Sequence, residues 1–341
     1  MLWTLLVLVV LIGSLVLWLR AEPAQVTQCE AGFVLFEDAS GADCIPENVT
    51  EVLSLSPMTN QLYLALGIPL AVRIDFFEEL VHGNIPGLVE RLDEVNAGVI
   101  EIELAGSAIG PNLERFAQAD PQVIISEAPS VEINKALGLI APVIYLDPTA
   151  TWKENMVYAS ELVGEREAAE ALVASYAERL EILRAQFEDP AAITVSAVRL
   201  HPERDTIQMP SSFAGQIIRD AGFSYPEEQV LLSEQTPDQI QVEISEERID
   251  VIDADHLFLF GGTPDEMFEE MGTSSNLLVD EFRSDPLFQF LNVAETGNVH
   301  IVGLYWRVPG IYSAHAIIDD LFRQVAGVDP DEVSPNPLKL E

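Results

Sequence analysis

Two α/β lobes, each built on a parallel sheet and joined by one long helix, are the architecture this sequence predicts. Three observations carry that expectation. Short apolar runs rich in β-branched residues alternate with helical patterns on both sides of the chain's middle. A stretch over 152–187 repeats apolar residues at steps of three and four, far longer than any helical pattern around it. The 341 residues, 48% of them hydrophobic, suffice for two packed cores.

The N-terminal residues come first. Residues 2–19 (LWTLLVLVVLIGSLVLWL) are almost continuously apolar, long enough to enter a bilayer. No Lys or Arg precedes them and Arg20 follows, so residues 1–20 are expected to be a transmembrane anchor or a signal peptide. Cys29 is not preceded by the small and leucine residues of a lipidation site, since Val26-Thr27-Gln28 stands there. Cys29 and Cys44 are the only two cysteines, and in an oxidising compartment they should pair, stapling a segment over 21–49.

In the first lobe, over 50–150, the expected strands are Val52-Leu53-Ser54-Leu55, Leu70-Ala71-Val72, Val99-Ile100-Glu101-Ile102, Val123-Ile124-Ile125 and Val143-Ile144-Tyr145-Leu146. Helices are expected over 58–66 and 112–119, the second with Pro111 at its start. Next comes the spine, 151–188, with Trp152, Met156, Ala159 and Val163, then Leu172, Tyr176, Leu180, Leu183 and Phe187, on one face and a break or kink near Gly164. The second lobe, 189–328, should hold strands over 193–198, at Leu257-Phe258-Leu259-Phe260 and over 299–302, with helices over 212–221 and 314–325. A Pro-rich tail, 329–341, ends the chain.

Charge limits the function. Lys+Arg 17 against Asp+Glu 56 gives a net charge of −39, which excludes a general nucleic-acid binder. No Gly-x-Ser-x-Gly, Walker, His-Glu-x-x-His or dinucleotide pattern occurs, so no enzyme class is indicated. The five histidines, His82, His201, His256, His300 and His315, form no cluster in the sequence, which argues against direct zinc or manganese binding and leaves no direct metal ligand to name.

Several segments, in order and spacing, resemble solute-binding proteins of ABC transporters for iron-siderophores, haem and cobalamin. In the first lobe they are Val52-Leu53-Ser54-Leu55-Ser56-Pro57, Leu64-Ala65-Leu66-Gly67, Gly110-Pro111-Asn112-Leu113-Glu114 and Asp120-Pro121-Gln122-Val123-Ile124-Ile125. In the second they are 249–255, Asp285-Pro286-Leu287 and 297–321, with Trp306, Gly310 and Asp319-Asp320-Leu321. The resemblance spans roughly 50–326 and implies the helical-backbone periplasmic binding protein fold. It further implies an extracytoplasmic protein, anchored or secreted and expected to be monomeric. Such a protein holds no permanent cofactor, clamps an Fe(III)-siderophore between its lobes and delivers it to an ABC permease. A surface-anchored haem or corrinoid receptor, working without a permease, is the alternative. In the family a glutamate on the first helix docks on the permease; the matching residue here is Gln61.

Candidate ligand contacts follow from the resemblance together with strand-end positions. Arg73 and Arg199 each come just after an expected strand, where guanidinium donors can meet anionic oxygen. Ser107, Gly110 and Asn112 lie in the turn before a helix, whose amides favour anions. Ser126 and Glu127 end a strand, and Met209 and Ser211 follow another. Tyr305, Trp306, Arg307 and Tyr312 make the densest aromatic and cationic cluster, with Trp306 expected to face the chelate.

Overall fold

A computed structural model describes residues 28–38, 41–70, 72–74, 85–95, 100–102, 113–127, 131–201, 204–261 and 275–339. The chain forms two compact units, Met1–Glu47 and Asn48–Glu341. The expected anchor or signal segment lies outside the described residues, and among those described no helix is long and apolar enough to cross a membrane.

The first unit contains an antiparallel hairpin, β1 (Phe33–Asp38) and β2 (Gly41–Pro46), that the sequence reading did not foresee. Cys29 and Cys44 are joined as expected, with Cα atoms 5.6 Å apart. A two-stranded hairpin is marginal alone, and a loop of this size adds roughly 3 kcal/mol in the chain-entropy account.

The first lobe of the second unit carries a parallel three-stranded sheet. Its order is β3 (Val52–Ser54), β6 (Val123–Ser126), β7 (Val143–Tyr145), and a parallel pair, β4 (Val72–Ile74) and β5 (Ile100–Ile102), forms a separate ladder. β3 and β6 are buried along their whole length, which is why they read as unbroken apolar runs. The helices here are α1 (Pro57–Ala65), α2 (Leu88–Val95), α3 (Leu113–Gln118) and α4 (Val131–Leu137). Ser56 caps α1 and Pro57 opens it, so the Ser-Pro pair fixes the start of that helix directly after β3.

The spine is two helices, α5 (Trp152–Glu161) and α6 (Arg166–Arg184), separated at Gly164, whose φ of +73° suits glycine. α6 has 19 residues and, at 1.5 Å per residue, spans nearly 30 Å. Its buried face includes Ala169, Tyr176, Leu180 and Leu183, and also Arg179. The Arg179 guanidinium donates to Ser334 O (3.0 and 2.8 Å), Asp319 Oδ1 (2.5 Å) and His315 O (3.2 Å), and pairs with His315 Nδ1 (3.1 Å). The proline-rich tail thus folds back through α12 (Pro330–Val333) and is tied to the spine by a buried cation with its hydrogen bonds filled.

The second lobe departs from a purely parallel sheet. The order is β10 (Gln241–Glu243), β9 (Thr206–Gln208), β8 (Val195–Leu200), β11 (His256–Gly261), β12 (Val299–Ile301). β8, β11 and β12 run parallel, whereas β9 and β10 pair antiparallel at the edge. The helices are α7 (Phe213–Asp220), α8 (Glu227–Gln235), α9 (Ser275–Ser284), α10 (Asn292–Thr296) and α11 (Ile311–Leu321). Its core joins Val198, Leu200, Ile207, Met209, Leu257, Leu259 and Phe288.

The seam between the lobes holds a second helix besides the spine. α11 packs on α6 and also on α1 of the first lobe. At that crossing the fully buried Gln61 amide donates to Pro309 O (3.2 Å) and Ser313 Oγ (3.1 Å) and accepts from Ser313 N (3.0 Å). Gly310, at φ +153°, makes room for it: a Cβ there would stand 2.2 Å from the Gln61 side chain. Gln61, which stands where the family's docking glutamate is expected, is therefore a seam residue with no surface to offer a permease.

Candidate functional site

Because β8, β11 and β12 are parallel, their carboxyl ends lie on one side of the second lobe, and the first lobe's β3, β6 and β7 likewise share one end. Sites of open α/β sheets form at such ends. β8 begins and ends two residues later than the sequence suggested, so Arg199 is within the strand, opposite Phe260 of β11, rather than just after it. It is half-buried, and its Nε has no hydrogen-bond partner. Burial, and then the like charge of Arg307, lower its guanidinium to about 10.

Arg307 reaches the same end from the other side of the sheet. A single 3-10 turn, Leu304–Trp306, follows β12, and Arg307 caps it with its side chain exposed. Surrounding protein still depresses this guanidinium below its ordinary value, as expected for a side chain in a concave place. Among the described residues neither Arg199 nor Arg307 is ion-paired to a carboxylate, although seven other arginines are. Beside Arg199 opens a pocket of about 400 Å³ lined also by His201, Arg204, Thr206, Gln241 and Glu243. Cations without carboxylate partners, near enough for the charge of Arg307 to be felt at Arg199, can bind oxyanions by charge-assisted, bidentate bonds.

In the first lobe Ser126 ends β6, fully buried, and Glu127 follows it. The Ser56 hydroxyl, at the start of α1, donates to Glu127 Oε1. Glu127 keeps open surface, yet burial by the surrounding protein raises its carboxyl while the Ser56 bond lowers it. In the sequence Ser56 figures only in a segment of the family resemblance; its place against Glu127 depends on β3 and β6 being neighbours.

Other expected contacts fall elsewhere. Trp306 is not on the cleft surface: it is fully buried, stacks on Phe258 (centroids 4.4 Å apart) and donates Nε1 to Asp320 Oδ2 at 2.8 Å. Tyr305 is 9% exposed and donates to the same oxygen at 2.7 Å. Both are interior residues because the turn carries them inward against β11 and α11, while the next residue, Arg307, points out. Met209 is fully buried in the second-lobe core, drawn in by the antiparallel β9, and Ser211 Oγ donates to Gln239 O (3.0 Å). Tyr312 is 3% exposed on α11, where burial pushes its phenol up to about 12. Arg73 lies in β4, its side chain outside the described residues, as Ser107, Gly110 and Asn112 are entirely.

The histidines bear on the metal question. His256 and His300 are neighbours across β11 and β12, hydrogen-bonded Nδ1 to Nε2 at 3.0 Å, a pairing that 44 residues of separation concealed. Burial holds His256 low and His300 down to about 4. They stand toward the amino ends of those strands, away from Arg199, and no group of three or more His, Cys, Asp or Glu suited to a metal ion occurs among the described residues.

No protein-family model matches the chain. It is 27% identical over 285 residues to the probable siderophore-binding lipoprotein YfiY of Bacillus subtilis, covering 82% of this chain and 83% of that protein. It is 25% identical to the achromobactin-binding periplasmic protein of Dickeya dadantii, with 81% and 86% covered. Among solved structures, Staphylococcus aureus SirA complexed with staphyloferrin B superposes with a TM-score of 0.70 at 18% identity, over 86% of this chain and 98% of that one. Bacillus subtilis FeuA complexed with ferri-bacillibactin gives 0.67 at 15%, over 86% and 98%. The fold is the helical-backbone periplasmic binding fold, and over four fifths of its length the chain is similar to siderophore-binding solute-binding proteins, the type the sequence resemblance indicated.

Proposed function

We propose that this solute-binding protein, not an enzyme, captures an anionic ferric siderophore outside the cytoplasm and delivers it to an ABC permease. The observation that carries the reading is the Arg199 and Arg307 pair at the carboxyl end of the second-lobe sheet, two neighbouring cations without carboxylate partners among the described residues. Arg199 is partly desolvated and feels the like charge of Arg307, and a bound anion would offset both. Glu127, held by the buried Ser56 hydroxyl, offers a carboxyl from the first lobe for the polar rim of the same ligand. The relatives' names, one a probable siderophore-binding protein and one an achromobactin-binding protein, support the ligand class. Iron arrives as cargo inside the chelate, so the protein needs no resident metal. In this reading residues 2–19 tether a monomer at the membrane or direct its export, and the Cys29–Cys44 bridge is kept oxidised there.

The test is direct. Full-length protein is titrated with ferric citrate, a ferric tris-catecholate and neutral ferrioxamine, and the visible spectrum and mass of whatever co-purifies are recorded. The anionic chelates should bind, and Arg199→Ala and Arg307→Ala should each weaken them about tenfold or more, on the scale of a charge-assisted bond. Ferrioxamine affinity should change far less. Equal loss for charged and neutral chelates, or stoichiometric zinc in place of a ferric chelate, would overturn the proposal.

A further inference from the structure

The turn that delivers Arg307 is held from behind by one carboxylate. Tyr305 Oη and Trp306 Nε1 both donate to Asp320 Oδ2 of α11, at 2.7 and 2.8 Å. Arg307 N in turn donates to Leu304 O at 2.9 Å. Phe258 of β11 closes the other face of the Trp306 ring. The backbone of Arg307 therefore has its position set by a turn whose two preceding side chains converge on a single oxygen atom. Resting on the anion-binding reading above, we infer that Asp320 is a positioning residue. Its ionised carboxylate fixes the Leu304–Trp306 turn so that the Arg307 guanidinium stands beside Arg199, and the cleft's affinity for anions depends on it.

The charge state of Asp320 gives this role a signature that packing alone lacks. Burial pushes its carboxyl up to about 6, against the pull of its two donors. Arg323 favours the ionised form and Asp319 opposes it. Other charged groups also face α11. Arg179 of α6 is engaged by Asp319, and His315 is driven down to about 3. His300 of β12 is held at about 4. Asp220 of α7 is bonded to Lys153 and Tyr176, and α1 presents the neutral Gln61. Above pH 6 two charge-assisted bonds hold the turn; below it they become neutral bonds to a protonated acid, and the turn loosens. Anion affinity should thus fall with acidification. The general fall in the chain's negative charge would have the opposite sign, strengthening anion binding.

The test uses the full chain and ferric citrate, with the dissociation constant read from pH 5 to 8 for wild type, Asp320→Asn, Asp320→Leu, Arg307→Ala and Asp320→Leu/Arg307→Ala. The ¹⁵N shift of the Trp306 indole is followed in parallel. Wild type should lose affinity through an inflection near pH 6, and the indole signal should move with it. Asp320→Asn offers only a neutral acceptor, like the protonated acid, so it should already bind more weakly than wild type at pH 7.5 and converge with it at pH 5, with a stationary indole signal. Comparing these two proteins cancels the titration of the chelate itself. Asp320→Leu should weaken binding about as much as Arg307→Ala, and the double variant should be no weaker than Arg307→Ala alone, as expected for residues acting in series. Additive losses in the double variant, or parallel pH profiles for wild type and Asp320→Asn, would overturn the inference. Should Asp320→Leu fail to fold, the asparagine comparison decides alone. Absence of chelate binding by wild type would instead sink the function proposed above, and this role with it.

Discussion

Substituting glutamate for Gln61 separates a seam residue from a docking residue. On an exposed helix the change would be close to neutral. In the structure the Gln61 side chain is fully buried and its Nε2 donates to Pro309 O and Ser313 Oγ, while Oε1 accepts from Ser313 N. Glutamate keeps the acceptor and loses both amide donations, about 1 kcal/mol each. Its second oxygen faces the Pro309 carbonyl, so the acid is driven toward its protonated form. A rise from about 4.3 to about 6.5 corresponds to about 3 kcal/mol at pH 7. The combined loss should be about 3–5 kcal/mol. A folded-state pKa above the unfolded one means the penalty is full above the raised value and disappears as pH falls below the unfolded value. Urea unfolding at pH 7 and at pH 4.5, with wild type measured beside it, checks both parts. The Gln61→Glu deficit should be large at pH 7 and mostly gone at pH 4.5. A variant as stable as wild type at pH 7, or a deficit unchanged between the two, would refute the buried placement.

Other perturbations are simpler. Gly310→Ala should destabilise by about 2–4 kcal/mol in the same assay, since the added Cβ would stand 2.2 Å from the Gln61 side chain and the backbone there favours glycine. Arg179→Met should cost about 3–5 kcal/mol, because it strands Asp319 without its buried partner, and proteolysis should then remove the tail beyond Val328. Denatured protein should show no free thiol, and reduction of Cys29–Cys44 should speed amide exchange in the β1–β2 hairpin about a hundredfold, matching roughly 3 kcal/mol. Since α5 and α11 both pack on α1 of the first lobe, small-angle scattering with and without ferric citrate should give nearly equal radii of gyration; a large contraction would contradict that stiffness.

Periodicity alone determined most of the architecture. β3 and β6 are buried along their length, so they read as apolar runs, and the α6 pattern recurs because one helix face meets the core. The cysteine pair was legible because only two exist. Arg199 and Arg307 stood out in the sequence because no apolar pattern explains them, but the strand expected to end before Arg199 runs through it. Aromatic residues were misjudged for a physical reason: in a turn, sequence carries no periodicity to say which way a ring points. Only the packed fold decided that Tyr305 and Trp306 turn inward to Asp320 while Arg307 turns out. The same holds for Met209, drawn into the core by an edge strand whose antiparallel pairing no local pattern records, and for His256 beside His300. Gln61 is the plainest case. Its neighbours in sequence mark a helix start, but its partners Pro309 and Ser313 are about 250 residues away, and only tertiary packing brings an amide donor and acceptor to the one place where a glycine leaves room for them.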